Sequence, residues 1–149
     1  MAPMYTSIVV GVDRSSTAQI ALGRALELAR VAGARLHVVS AYEPTPARVT
    51  GGAPAAEEYQ SAVQPGFKAD AVLQQALSRA QREGLEIEQH APKGSAADAI
   101  LAVAEENDAD LIVVGNVGMQ GPKRIFGSVP NRVSHRSPVD VLIVQTRGA

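Results

Sequence analysis

The chain has no cysteine and no tryptophan, and aromatic side chains make up only 3% of its 149 residues. Without cysteine there is no disulfide framework and no thiolate metal centre, which fits a reducing compartment. With so few aromatics, a surface that stacks single-stranded bases is not expected. A net charge of −1 supplies no global field to attract nucleic acid or an anionic membrane. No apolar run reaches the roughly 18 residues of a membrane span. The opening MAPMYTSIVVGVD has no basic flank and too short an apolar run for a secretory leader. These absences lead us to expect a cytoplasmic protein with no nucleic-acid or membrane partner.

What is present is a chain of ordinary globular composition, 46% hydrophobic and 19% charged. Its length predicts one domain over residues 1–149, large enough to bury a core. Short runs that are apolar throughout occur at Ser7 to Val12, Leu36 to Val39, Leu111 to Val114 and Val139 to Val144. Such runs suit strands covered on both faces, as in parallel sheets. LEIEQH, Leu85 to His90, alternates instead and predicts a half-exposed edge strand.

Helical spacing fills the gaps between these runs. Ala18, Ala21, Leu22, Ala25, Leu28, Ala29 and Ala32 share one face, with Arg24, Glu27 and Arg30 opposite, and Gly33 closes the helix. A second helix spans Ala69 to Arg82, with Val72, Leu73, Ala76, Leu77 and Ala80 on one face and Gly84 at its end. A third spans Ser95 to Glu106 with Ala99, Ile100, Val103 and Ala104 inward, and a fourth runs from Ser128 to near His135. Strict β-α alternation implies an α/β fold, an open five-stranded parallel sheet with helices on both faces. Glu43 to Pro65, rich in proline, glycine and alanine, reads as a long loop.

In an open parallel sheet a ligand sits beyond the carboxyl ends of the strands, where the strand order reverses. Here that point falls between the first and fourth strands, which brings GVDRSS together with GNVGMQGPKRIFGS. Ser16 and Gln19 have the spacing of a capping box, which would leave the Asp13 carboxylate free for a base amine or a ribose hydroxyl. Gly115 and Gly118 place no Cβ in the path of a ligand. Gly127 and Ser128 precede the fourth helix, whose first amides, at Ser128 and Val129, suit a phosphate. Pro130 is tolerated in that first turn, and Lys123 and Arg124 add positive charge nearby. There is neither a G-x-x-x-x-G-K-[ST] loop nor a G-x-G-x-x-G turn after the first strand.

Five segments together resemble the universal stress protein family. They are IVVGVD, KGSAADAI, ADLIVVGNVG, FGSV and the closing VDVLIV. The resemblance covers nearly the whole length. It implies a Rossmann-like fold of the adenine nucleotide alpha hydrolase-like type, with strand order 3-2-1-4-5. The ATP-binding branch of that family carries G-x2-G-x9-G-[ST]. Gly115, Gly118 and Gly127-Ser128 match it, but residues 119 to 126 number eight, one fewer than the pattern. The resemblance implies adenine near Val12, Asp13 and Ala41, ribose at Gly115 and Gly118, and phosphates at Gly127, Ser128 and Val129. It also implies a homodimer paired through Val139 to Val144, an apolar edge that would be a liability if bare.

Catalytic patterns are scarce. His37, His90 and His135 stand apart in the sequence and read as structural or solvated, no metal-ligand spacing is present, and no serine sits in a nucleophile elbow. One carboxylate, Asp13, is a weak case for Mg²⁺ beside ATP. The reading is therefore of a stress-response or regulatory protein that binds ATP or a related adenine nucleotide such as AMP or cAMP, with slow hydrolysis at most, and acts on an unidentified protein partner. Its alternatives are a nucleotide-free dimerisation module and a slow ATPase.

Overall fold

The computed structural model describes residues 4–43, 65–116 and 128–146. Among these residues nine elements alternate: β1 Ser7–Gly11, α1 Ser16–Ala32, β2 Arg35–Val39, α2 Pro65–Arg82, β3 Ile87–His90, α3 Ala96–Glu106, β4 Leu111–Gly115, α4 Ser128–Arg136 and β5 Asp140–Val144. The strands form one parallel sheet in the order β3-β2-β1-β4-β5. Both the expected class and the expected strand order are found. The Glu43–Pro65 loop lies almost wholly outside the described residues, as does the run Val117–Gly127 with Gly118 and Gly127.

The continuous apolar runs form strands because both faces of the sheet are covered. Along β1 the residues alternate between two cores. Ile8 and Val10 join Leu22, Leu26, Leu36, Val38 and Leu73 on the side of α1 and α2. Val9 joins Ile100, Val103, Ile112 and Val133 on the side of α3 and α4. The edge strand β3 is half-exposed, as its alternation predicts.

One helix is rotated relative to the expected stripe. The buried line of α1 runs through Leu26, fully buried, whereas Leu28 is only half-buried and packs at the margin of the core. Leu26 continues the four-residue step from Leu22, so the stripe drifts along the 3.6-residue period. Gly33 and Gly84 end α1 and α2 with left-handed φ of 67° and 73°, the conformation in which glycine costs least. At the amino ends of the central strands, Asp110 stitches the sheet. Its carboxylate accepts from Thr6 N at 2.9 Å, Thr6 Oγ1 at 3.0 Å and Ser7 N at 3.1 Å.

Candidate functional site

The sheet leaves a crevice at its carboxyl edge because β1 sends its chain to one side and β4 to the other. A cleft open to solvent lies there, lined from both sides of the reversal. Of the residues singled out by sequence, Val12, Asp13, Ala41, Gly115 and Val129 line it. Ser128 is exposed at the first position of α4, next to Val129, and is not part of the lining. The lining also includes Gly11, Ser15, Thr17, Val39 and Ile100, which the sequence does not mark as site residues.

Each wall has a local cause. Val12 continues the ladder one step beyond β1, its N–H donating to Val39 O at 2.9 Å, and its side chain is buried. Gly11 is glycine for a packing reason: a Cβ there would overlap Ile100 Cδ1 and stand 3.1 Å from Cγ1. Ile100, from α3, thereby closes the floor. Opposite, α4 is fastened to α3 by Arg136, whose guanidinium donates to Asp98 Oδ1 at 2.6 Å, and by Arg132 at 3.7 Å. The Arg136 hydrogen bond, helped by the one from Ser95, holds the Asp98 carboxyl below the usual carboxylate range. Val133 of α4 is fully buried in the same core, with Val129 packed against it, and this seats the amino end of α4 at the cleft.

The structure corrects the expected freedom of Asp13. The cap of α1 is Ser15, extended at φ −75° and ψ 153°, and its Oγ accepts from Ala18 N at 3.1 Å. Ser16 lies inside the first turn and is exposed, so no capping box runs from it. Asp13 Oδ1 accepts from Ser15 N at 2.7 Å and from the Ser15 hydroxyl, and that hydroxyl also lies 2.9 Å from Thr17 Oγ1. The Asp-x-Ser turn is a local side-chain-to-backbone closure. One carboxylate oxygen, Oδ1, is engaged in this turn; among the described residues no hydrogen bond engages Oδ2.

Asn116 frames the exit from β4. Its N–H donates to Val144 O at 2.9 Å. Its Oδ1 accepts from Thr146 N at 3.0 Å and Thr146 Oγ1 at 2.7 Å, while Nδ2 donates to Gln145 Oε1 at 2.8 Å. The point where the chain leaves Gly115 is therefore tied to the residues that follow β5.

Residues 4–145 match the model of the Universal stress protein family. The chain belongs to the universal stress protein family. A universal stress protein of Mycobacterium tuberculosis is 37% identical, over 95% of this chain and 97% of its own. YxiE, the Bacillus subtilis universal stress protein, is 32% identical over 95% of this chain and all of its own. Among solved structures, a universal stress protein in complex with cAMP is 37% identical, with a TM-score of 0.70 over 95% of this chain and 98% of its own. A universal stress protein of Archaeoglobus fulgidus in complex with dAMP is 29% identical, with a TM-score of 0.67 over 94% of this chain and 98% of its own. Universal stress proteins of this length and fold thus include ones that hold adenine nucleotides. Among the described residues, no helix is long and apolar enough to cross a membrane.

Proposed function

We propose that this universal stress protein is a cytoplasmic regulatory protein that binds an adenine nucleotide in the crevice between β1 and β4 and signals through an unidentified protein partner. The observation that carries the proposal is the cleft itself: the strand-order reversal, a glycine at its rim and the start of a helix converge there. Val12 and Ala41 offer apolar contact to a base, and Asp13 Oδ2 accepts from a ribose or amine. Gly115, with Gly118, admits the sugar. Gly127, Ser128 and Val129 supply amides for phosphate. The complexes of relatives with cAMP and dAMP support an adenine ligand. ATP is the other candidate. Among the described residues, Asp13 is the sole carboxylate of the lining, which makes a protein-held Mg²⁺ beside ATP a poor fit. With no second carboxylate and no imidazole among the described lining residues, the cleft suits binding more than rapid turnover.

We propose further that β5 pairs with a second copy. It is the outer strand of the sheet, Val141, Leu142 and Ile143 are half-buried, and among the described residues one backbone side lacks a neighbouring strand. The same edge would serve a nucleotide-free dimerisation module equally well, so ligand binding decides between the two readings. Calorimetric titration with cAMP, AMP and ATP is expected to show one saturable site. Gly115→Val is expected to weaken binding at least about tenfold, near 1.4 kcal/mol, with unfolding temperature preserved. Failure of all three nucleotides to bind at millimolar concentration would leave the dimerisation module as the function.

A further inference from the structure

His37, Glu88 and His90 meet on the outer part of the sheet, and none of the three lines the cleft. The parallel register sets His37 of β2 opposite Glu88 of β3, and His90 follows two residues on. Side chains alternate along strands, so Glu88 and His90 share a face. The neighbours of His37, Leu36 and Val38, point into the core under α1 and α2, which puts His37 on the opposite face. On that face α3 packs over β1 and β2, while β3 is covered by α2 on the other side. His37 is buried to 1% exposure, His90 is half-buried and Glu88 is exposed.

His37 Nδ1 lies 3.0 Å from His90 Nε2 and 3.1 Å from Glu88 Oε2, and the three donor atoms fall within 4.8 Å of one another. We propose that these three side chains form a binding site for a divalent transition metal of the zinc type, two imidazole nitrogens and one carboxylate oxygen, with a fourth coordination position facing solvent.

The donor set and its spacing both favour this. Imidazole and carboxylate are the ligand types zinc takes, and a tetrahedral ion with bonds of about 2.0–2.1 Å spaces its ligand atoms about 3.3 Å apart. The observed 3.0 and 3.1 Å need to open by only a few tenths of an ångström. The chemistry of the metal-free cluster points the same way. A neutral His37 has at most one proton at Nδ1, yet two lone-pair-bearing neighbours converge on that atom. If the proton sits on His90 Nε2 instead, the Glu88 carboxylate faces a bare Nδ1. A cation gives all three lone pairs a common partner.

One detail limits the strength of the site. Among the described residues, His37 Nε2 is buried without a hydrogen-bond partner. Ligation through Nδ1 places the ring proton there, with no acceptor to orient it, and such outer-shell partners commonly change metal affinity 10–100-fold. The site is therefore weaker than one with an oriented imidazole.

The test uses untagged, metal-stripped full-length protein titrated with Zn²⁺ in a non-coordinating buffer, and with Co²⁺ followed by its visible absorption. One equivalent is expected to bind saturably, with a tetrahedral Co²⁺ spectrum. Glu88→Gln and His90→Gln are each expected to weaken Zn²⁺ binding at least about tenfold. In long-range ¹H–¹⁵N spectra of the native chain, the His37 Nδ1 resonance is expected to move on zinc addition. These spectra and Glu88→Gln, on the exposed side, keep the test decisive if His90→Gln folds poorly. No saturable binding, undiminished binding in Glu88→Gln or a stationary His37 Nδ1 resonance would overturn the proposal.

Discussion

Gly11 and Ile100 show how a single missing Cβ shapes this molecule. Gly11 sits in a strand, where glycine has no conformational advantage, and the isoleucine of α3 occupies the space a side chain would take. Gly11→Ala is expected to cost about 1–3 kcal/mol through overpacking. In an Ile100→Val background, where Cδ1 is gone, the same change is expected to cost less than half as much. Urea unfolding of the two single variants and the double variant measures the coupling; strictly additive losses would mean that the contact carries no strain. The same scale exposes what sequence could not show. Nothing in IVVGVD marks Gly11 as a partner of Ile100, because the contact joins two elements. His37 and His90 are likewise 53 residues apart, and only the register of β2 with β3 makes them neighbours.

At the scale of the element, the first turn of α1 was half legible. The DRSS sequence announces a helix start, but three of its residues are reasonable caps. The choice falls to Ser15 because its extended backbone lets Oγ reach Ala18 N while Asp13 closes back on it. Ser15→Ala is therefore expected to lower stability by about 1 kcal/mol, a usual cap loss, and to release Asp13 from its turn. Ser16→Ala is expected to be within about 0.5 kcal/mol of neutral, as exposed positions generally are. Thermal unfolding of the pair separates the two assignments; a larger loss for Ser16→Ala would restore the capping box. The helices themselves were readable from their periods. Their phase was less so, since alanine-rich faces such as that of α1 give a weak contrast between Leu26 and Leu28.

For the whole molecule, fold order was the most legible property. Four continuous apolar runs and one alternating run suffice to separate central strands from an edge, and the alternation of elements then restricts the topology to few choices. The candidate site was legible where it lies on strand ends, at Val12, Asp13, Ala41 and Gly115. It was not legible at Thr17 and Ile100, which reach the cleft through packing. The long-range closure by Asp110 also belongs to this scale, because it joins the approach to β4 with that to β1. Burial alone would raise the pKa of Asp110, but the N–H groups of Thr6 and Ser7 and the Thr6 hydroxyl outweigh it, and the carboxyl lies below its ordinary value. A carboxyl with a depressed folded-state pKa contributes stability above its unfolded value, near 3.9, and loses it as pH falls through the folded value. Asp110→Asn is expected to cost about 1–2 kcal/mol at pH 7, towards the lower figure because solvent partly screens the group. The difference from the native chain is expected to shrink below about pH 4. Chemical denaturation across pH 3 to 7 checks this, and a pH-independent gap would assign the loss to packing.

Asn116 gives the molecule a practical asymmetry. Thr146 and Gln145 grip the residue that follows Gly115, so the far end of the chain acts as a rivet on the rim of the cleft. A reporter or affinity label joined directly after Thr146 would pull on that rivet. In a biosensor built from this chain, a short carboxyl-terminal linker would transmit strain to the rim of the cleft, and a longer one would isolate it.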